Sequence, residues 1–325
     1  MHMRQLGKTG YQVSEIGLGC WQLGGDFGPL AEGTANAILD AASQQGVNFW
    51  DTADVYGGGL SEQRIGDFQN RPKDLLVATK VGRGEGLYPD GYRFAAVRDS
   101  LQASAKRLGV ETIDLAQLHC VPHEVLKHGE IFSWLDDLKQ EGLIRHYGAS
   151  VETLDEAFTC LQAPGLATLQ VIFNVFRQDA AADLLGAAQE REVGIIVRLP
   201  LASGLLSGKF HRHTVFAESD HRNYNRDGAA FSVGETFGGI PFEKGVTLAQ
   251  GLQKILPENG DMAALCLRWI LDHPAVSTII AGASSPQQIR SNVSASRISP
   301  LPESLHRELA RYYHRQVRPH IRGSI

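Results

Sequence analysis

Strand and helix patterns alternate along nearly the whole chain, and this alternation restricts the possible folds more than any other feature. Eight short segments have the length and composition of strands, and helical segments follow them. The run from Ile195 to Val197 is apolar without interruption, which is typical of strands covered on both faces. The predicted strands are residues 15–19, 47–51, 75–80, 113–119, 144–150, 169–174, 194–198 and 277–281.

The helical segments complete eight strand–helix units, which predict an α/β protein with a (β/α)8 TIM barrel fold. The alternative is a doubly wound parallel sheet. The number of units is high for such a sheet, and the first strand is not followed by a G-x-G-x-x-G turn. The predicted helices are residues 33–45, 61–67, 94–108, 129–141, 154–161, 180–191, 262–272, 286–295 and 302–313.

A single barrel domain is predicted over residues 1–325, because such barrels reach this length as one unit. Residues 1–14 read as an N-terminal β-hairpin with a turn at Gly7 to Gly10. A long lid-like loop is predicted at residues 210–247, after the seventh strand, and it is too long for a simple connection. Residues 302–325 form the predicted C-terminal helix and tail.

The charge balance and the cysteines exclude several classes of protein. The net charge of −5, from 31 basic and 36 acidic residues, argues against a nucleic-acid partner. The 4 cysteines are scattered without C-x-x-C spacing, which predicts reduced, buried thiols and a cytoplasmic location. No apolar signal core and no 18-residue apolar run occurs, so neither export nor membrane insertion is predicted. The sequence carries no signal for an oligomeric state.

Polar residues stand where the predicted strands end. Because active sites of such barrels form at the carboxyl ends of the strands, these side chains are expected to converge. They are Asp51, Lys80, His119, Ser150 and Arg198, with Gln170 and Asn174 on the sixth strand.

Tyr56 lies five residues after Asp51, and this pair sets the expected chemistry. A phenol with a pKa of ~10 is a poor acid near neutral pH unless a cation lies beside it. Lys80, held by Asp51, would stabilise the tyrosinate and make Tyr56 a proton donor. His119 would hydrogen-bond a carbonyl oxygen and aim it at Tyr56. These residues predict reduction of a small carbonyl compound with hydride from a nicotinamide, in a pocket with Trp21 on its wall.

A metal site is not predicted. His119, Cys120, His123 and His128 are close in sequence, but their spacing matches no ordered metal site. A metal-dependent barrel lyase or isomerase is disfavoured because carboxylate ligands do not cluster at the predicted strand ends.

The chain resembles the aldo-keto reductases over essentially its whole length. The matching motifs occur in the family's order, and together they are specific. They are residues 6–10 (LGKTG), 17–21 (GLGCW), 51–57 (DTADVYG), 148–150 (GAS), 200–209 (PLASGLLSGK) and 282–285 (GASS), with Val13, Ser14, Ser61, Glu62, Gln170, Asn174 and Asn292.

The resemblance implies a catalytic tetrad of Asp51, Tyr56, Lys80 and His119, with Tyr56 as the general acid. It also implies that Ser150 and Gln170 hold the carboxamide of the nicotinamide and that Trp21, Tyr56 and His119 face the substrate. The remaining cofactor contacts that it implies or suggests are Trp21, Asp51, Arg198, Leu199, Pro200, Leu201, Gly204, Lys209 near the pyrophosphate, and Gly282, Ser284, Gln288 and Asn292 at the adenosine end.

Two departures from the family pattern fall near the expected nicotinamide. Val151 stands where the family often has Asn, so the resemblance does not extend to that hydrogen bond with the carboxamide. Arg198 and Leu199 stand where the family usually stacks Tyr or Trp on the nicotinamide. A guanidinium plane can pack on a ring, and its charge would favour the reduced cofactor.

A third departure concerns the choice of cofactor. The family generally prefers NADPH, and Gln288 stands where some members carry an Arg for the 2′-phosphate. Arg290, Arg222 or Arg226 would have to take that role. NADPH is therefore the predicted cofactor, with NADH as an alternative.

Two other functions remain as alternatives. The same residues would serve an NAD(P)-dependent aldose or alcohol dehydrogenase, since cofactor ratio and substrate decide the direction. The family resemblance also extends to potassium channel β subunits, which bind cofactor and regulate a partner. The tetrad is intact here, and no N-terminal inactivation-type extension precedes it, which favours an enzyme.

Overall fold

The computed structural model describes residues 1–258 and 260–325. The chain begins with a two-stranded antiparallel hairpin, Met3–Gln5 paired with Gln12–Ser14. Leu6 and Val13 are fully buried against inward-facing apolar side chains of the barrel strands, so the hairpin closes the amino end of the barrel. Arg4 fixes this position, because its guanidinium donates to the carbonyls of Leu271 (2.7 Å) and Val276 (2.9 Å).

Eight parallel strands then form a closed barrel, which confirms the predicted fold class. The last strand pairs with the first, with Ile279 opposite Ile16 and Gly282 opposite Gly19. Barrel strands 1 to 8 are Ile16–Gly19, Phe49–Asp51, Leu76–Val81, Ile113–His119, Ile144–Ser150, Thr168–Ile172, Gly194–Arg198 and Val276–Gly282.

Helices surround the barrel, and apolar side chains fill the layer between helices and strands. The helices are α1 (Glu32–Gln44), α2 (Leu60–Asp67), α3 (Phe94–Leu108), α4 (His123–His128), α5 (Glu130–Gln140), α6 (Leu154–Cys160), α7 (Leu184–Glu190), α8 (His221–Tyr224), α9 (Phe242–Gln253), α10 (Met262–Leu271), α11 (Pro286–Ser294) and α12 (Glu303–Tyr312).

The predicted loop over residues 210–247 is wrong at its C-terminal end. Helix α9 begins at Phe242 and runs beyond position 247, and the short helix α8 lies inside the segment. Phe242, Val246 and Ala249 are buried at helical spacing, so the signal for α9 was present in the sequence. Residues 210–241, called the lid segment below, contain the irregular part.

Smaller corrections concern the sixth strand and the helix after it. The strand ends at Ile172, and Asn174 lies in the turn beyond it, where its amide donates to the Leu199 carbonyl at 2.9 Å. The helix predicted at 180–191 is divided into a 3-10 turn, Asp179–Ala181, and α7.

All four cysteines lie in the described residues, where they are buried and unbonded to one another, as the sequence predicts. Among those residues, no helix combines the length and the apolar character that crossing a membrane requires.

Candidate active site

Lys80 lies at the centre of the polar groups that the barrel strands bring together. Its side chain is fully buried, and its ammonium donates to the Asp51 carboxylate, to the Thr52 carbonyl at 2.8 Å and to the Tyr56 hydroxyl at 3.2 Å. Burial by itself lowers the pKa of Lys80, but Asp51 and Tyr56 outweigh it and raise the pKa above its ordinary value. Lys80 is therefore a fixed cation beside the phenol.

The second carboxylate oxygen of Asp51 is also fully engaged. It accepts hydrogen bonds from the side-chain amides of Gln117 at 2.9 Å and Gln170 at 2.7 Å. Gln117 was not predicted from the sequence. It lies two residues before His119 on the same strand, and side chains two apart on a strand share a face. This two-residue spacing from His119 on a predicted strand was the signal that could have identified Gln117 as a site residue.

Strand register aligns the next three site residues across neighbouring strands. His119 is opposite Ser150, and Ser150 is opposite Gln170. The Ser150 hydroxyl donates to the Gln170 side-chain carbonyl at 3.1 Å. The two residues predicted to hold the carboxamide are thus adjacent, and here they bind each other.

Tyr56 is half-buried between Lys80 and an aromatic wall. The Lys80 ammonium lies 4.9 Å from the Tyr56 ring centroid, and the Trp21 ring stacks on Tyr56 at 5.7 Å. Burial raises the pKa of Tyr56 to about 12, although Lys80 acts in the opposite direction. The phenol is therefore protonated near neutral pH, and Lys80 offsets part of the cost of removing its proton.

The backbone that carries Tyr56 packs tightly against the loop after barrel strand 1. A Cβ added to Gly24 would lie 2.6 Å from the Tyr56 carbonyl carbon and 2.7 Å from the Gly57 nitrogen. Neither atom belongs to a flexible side chain, so the Tyr56 loop would have to move. Only glycine allows the two loops to pack as they do.

We expect Gly24→Ala to lower kcat by about 10-fold to 100-fold, because a shift of about 1 Å at a catalytic group can cost 10²-fold. The measurement is steady-state kinetics together with thermal unfolding. Gly33→Ala is the matched control, since nothing lies within 4 Å of a Cβ at that exposed position in α1. Equal kinetics for the two variants would show that the Tyr56 loop absorbs the extra methyl group.

His119 ends barrel strand 4 and faces Tyr56 edge to face, with ring centroids 5.9 Å apart. Its Nδ1 is buried and has no hydrogen-bond partner among the described residues. Burial, and then the charges of Arg83 and Lys80, hold the pKa of His119 well below its usual range. The imidazole is therefore neutral, and it offers a hydrogen bond rather than a charge.

A single cavity of about 1140 Å³ extends from Tyr56 and His119 to the start of α11. Tyr56 and His119 line it, and Lys80 lies behind Tyr56. All the residues predicted as cofactor contacts line it as well: Trp21, Asp51, Ser150, Gln170, Arg198, Leu199, Pro200, Leu201, Gly204, Lys209, Gly282, Ser284, Gln288 and Asn292.

The backbone after barrel strand 7 adopts a rare conformation along the cavity. Leu199, Ala202 and Ser203 have φ values of 51°, 47° and 53°, and Gly204 has 98°. Positive φ is costly for residues with side chains, and such strain is concentrated at functional sites. Leu199, Ser203 and Gly204 line the cavity.

The far end of the cavity is formed around the start of α11. Ser285 caps this helix, and its hydroxyl accepts from the Gln288 amide. The Gln288 side chain in turn accepts from the Ser284 amide at 2.6 Å, and Asn292 donates to the Gly282 carbonyl at 3.3 Å. A helix N-terminus with free backbone donors favours phosphate groups.

The arginines near the cavity are held by other protein groups. Arg198 donates to the Val151 carbonyl at 2.9 Å and lies 3.6 Å from Glu235. Arg222 lines the cavity and forms a bidentate ion pair with Asp220. The other two arginines considered for the 2′-phosphate lie outside the cavity wall and bind elsewhere: Arg226 to the Arg222 carbonyl and Arg290 to Gln287.

One group of residues on the wall was missed by the sequence predictions. Arg83 pairs with Glu152 and Glu235, and the three line the cavity beside His119. Arg83 and Glu152 lie two residues after the ends of barrel strands 3 and 5. Their closeness to the predicted strand ends could therefore have identified them as residues of the site. Glu235 comes from the lid segment, whose path the sequence does not specify.

The cavity suits a nicotinamide dinucleotide. It is long, it has the amide and hydroxyl groups of Gln170 and Ser150 at the end with Tyr56, and it has the α11 N-terminus at the other end. Lys209 and Arg222 also line the cavity and supply positive charge. The donor set therefore matches a ligand with a carboxamide at one end and phosphates further along.

Comparison with known proteins places these features in context. A sequence model of the aldo/keto reductase family matches residues 15–313. The chain is 30% identical over 312 residues to the uncharacterized oxidoreductase YqkF of Bacillus subtilis, covering 93% of this chain and 94% of that protein. It is 31% identical over 307 residues to L-galactose dehydrogenase of Arabidopsis thaliana, covering 91% and 88%.

A solved structure agrees with the sequence comparisons. The holo form of aldo-keto reductase AKR11C1 from Bacillus halodurans superimposes with a TM-score of 0.77 at 28% identity, covering 96% of each chain. The likeness therefore extends over the whole barrel.

Proposed function

This chain belongs to the aldo/keto reductase family of oxidoreductases, and we propose that it reduces an aldehyde or ketone to an alcohol with NADPH. NADH is the alternative cofactor. The observation that supports this proposal most strongly is the contact of Lys80 with both Asp51 and the Tyr56 hydroxyl, at the wall of an elongated cavity.

In the proposed mechanism, the reduced nicotinamide supplies the hydride when it is bound. Tyr56 donates its proton to the carbonyl oxygen as negative charge develops there. Lys80 stabilises the resulting tyrosinate, and Asp51 holds Lys80 in place and keeps the buried site balanced in charge. Neutral His119 donates a hydrogen bond to the same oxygen and fixes its direction.

Ser150 and Gln170 would hold the carboxamide, since they present a hydroxyl and an amide at the cavity wall. The Gln170 amide nitrogen already binds Asp51. The Gln170 carbonyl and the Ser150 hydroxyl are the groups that would exchange their mutual hydrogen bond for the carboxamide. In the reverse direction the same groups act with Tyr56 as the base, so the site itself sets no preferred direction.

The proposed preference for NADPH depends on a cation on the cavity wall that binds the 2′-phosphate. Arg222 supports it, because its guanidinium lines the cavity and lies over the rings of Phe27 (5.1 Å) and Phe216 (4.5 Å). A guanidinium suits a phosphate because its planar N–H groups can donate two parallel hydrogen bonds to the phosphate oxygens.

The test is a fluorescence titration of the protein with NADPH and with NADH, followed by assays with small aldehydes. We expect NADPH to bind at least about tenfold more tightly, which corresponds to about 1.4 kcal/mol. In Arg222→Met, the NADPH affinity should fall towards that of NADH. The exposed Arg98→Met, whose partner is Glu141, is the control. Tighter binding of NADH would reverse the cofactor assignment, and failure to bind either would contradict the proposed function.

A further inference from the structure

Four charged side chains form a cluster on the cavity wall that the proposed mechanism does not use. The Arg83 guanidinium donates to both oxygens of Glu235, at 2.6 and 3.1 Å, and to Glu152 at 2.6 Å. Arg198 lies 3.6 Å from the same Glu235. Each of the four side chains lines the cavity. This set is called the charged cluster below.

The charged cluster lies beside the reacting groups. Arg83, Glu152 and Arg198 come from the ends of barrel strands 3, 5 and 7, and Glu235 comes from the lid segment. The thiol of Cys120, the residue directly after His119, donates to Glu235 at 3.6 Å and accepts from Arg198 at 3.7 Å. A substrate whose carbonyl contacts His119 would therefore meet the cluster with its neighbouring carbons.

The cluster is close to balanced in charge, with two guanidinium groups against two carboxyl groups. It has no large excess of positive charge to attract an anionic substrate. Cys120, Glu152 and Glu235 bring three ligand atoms within 4.8 Å of one another, which would suit a metal ion. However, Arg83 already binds both carboxyl groups, and burial raises the pKa of the Cys120 thiol to about 12. The cluster is therefore neither an anion site nor a metal site.

Hydrogen-bonding capacity remains on both the donor and the acceptor side. Arg198 Nε is buried without a partner among the residues that the structure describes. Arg83 binds one carboxyl oxygen of Glu152, and the other oxygen can accept a hydrogen bond from a ligand. A hydroxyl group also donates and accepts. An apolar substrate would displace water from these polar groups and offer no hydrogen bonds in its place, which would weaken its binding.

We propose that Arg83, Glu152, Glu235 and Arg198 form a hydroxyl-binding subsite next to the reacting carbonyl. The preferred substrates are then aldehydes or ketones that carry hydroxyl groups on the carbons beside the carbonyl, rather than simple alkyl aldehydes. This assignment rests on the proposed function, because it places the carbonyl at Tyr56 and His119.

The test compares kcat/KM for glyceraldehyde and propanal, which differ only in two hydroxyl groups. The wild type should favour glyceraldehyde by at least about 100-fold, because sites built to bind a hydroxyl strongly reject the analogue that lacks it. In Glu152→Ala and in Arg83→Met the preference should fall at least about tenfold, mainly through a higher KM for glyceraldehyde. Comparing ratios between variants removes the difference in intrinsic reactivity of the two aldehydes.

Arg98→Met is the control, because Arg98 forms an exposed ion pair elsewhere on the barrel and should leave the ratio unchanged. Circular dichroism and thermal unfolding establish that the variants are folded. An equal or reversed preference in the wild type would overturn the subsite. A ratio that is unchanged in both Glu152→Ala and Arg83→Met would overturn it as well.

A binding measurement separates this proposal from the proposed function. Tryptophan fluorescence, to which Trp21 in the cavity contributes, follows titration with xylitol and with 1,5-pentanediol. If neither aldehyde is reduced with NADPH or NADH, the proposed function fails. The subsite still stands if xylitol binds more tightly than the diol and loses that advantage in Glu152→Ala. It fails if the two compounds bind alike.

Discussion

Replacing Tyr56 by Phe should lower kcat for carbonyl reduction by about 10²-fold to 10⁴-fold, which is the usual contribution of a positioned general acid. The substitution removes the hydroxyl that Lys80 contacts at 3.2 Å and leaves the ring that stacks on Trp21. NADPH affinity should change little, because the proposed mechanism places the hydroxyl at the substrate and not at the cofactor. The measurement is single-turnover reduction of an aldehyde at saturating cofactor, with cofactor affinity determined by fluorescence titration.

Tyr11→Phe provides a matched control for this substitution. Tyr11 lies in the N-terminal hairpin region, at the opposite end of the barrel, and its buried hydroxyl has no hydrogen-bond partner within the described part of the chain. We expect its activity to equal that of the wild type. If Tyr56→Phe kept more than about a tenth of the wild-type kcat, another group would have to supply the proton.

Replacing Lys80 by Met should cost about 3–5 kcal/mol of unfolding free energy and also abolish most of the activity. The estimate follows from the rule that removing one partner of a buried ion pair leaves an uncompensated charge. Both Lys80 and Asp51 are almost completely buried, and the Asp51 carboxylate would keep only its bonds from Gln117 and Gln170. Urea unfolding at neutral pH measures the change.

A double variant tests the cause of this loss. Adding Asp51→Asn to Lys80→Met removes the uncompensated charge, so much of the stability should return while the activity stays low. Arg98→Met is the control for loss of an exposed ion pair, which should cost about 1 kcal/mol or less. If Lys80→Met and the double variant were equally unstable, packing rather than charge would explain the loss.

The barrel was predictable because strand and helix patterns alternate along the chain, and because strands such as barrel strand 7 contain uninterrupted apolar runs. Barrel strand 7, Gly194–Arg198, and barrel strand 4, Ile113–His119, were predicted with their observed bounds. The convergence of Asp51, Lys80 and His119 followed from the same inference, because the parallel strands of a barrel all end at one rim. The positions of these three residues at the ends of predicted strands were therefore sufficient to predict that their side chains lie close together.

Other parts of the site depend on contacts that local sequence does not encode. Glu235 reaches Arg83 only because the lid segment folds back over the barrel, across 152 positions in the chain. The hydrogen bond of Gln117 to Asp51 depends on barrel register in the same way. Helix α9 was different, since its spacing was visible and the glycines before it suggested a longer loop than exists.

The pairing of barrel strand 8 with barrel strand 1 has a consequence for how the protein is made. Chains emerge from the ribosome N-terminus first, so Asp51, Tyr56 and Lys80 appear long before Val276–Gly282, which completes the ring. During that interval the edge of Ile16–Gly19 lacks its final partner and is open to pairing with other chains. The short length of this strand and its two glycines limit that risk during synthesis.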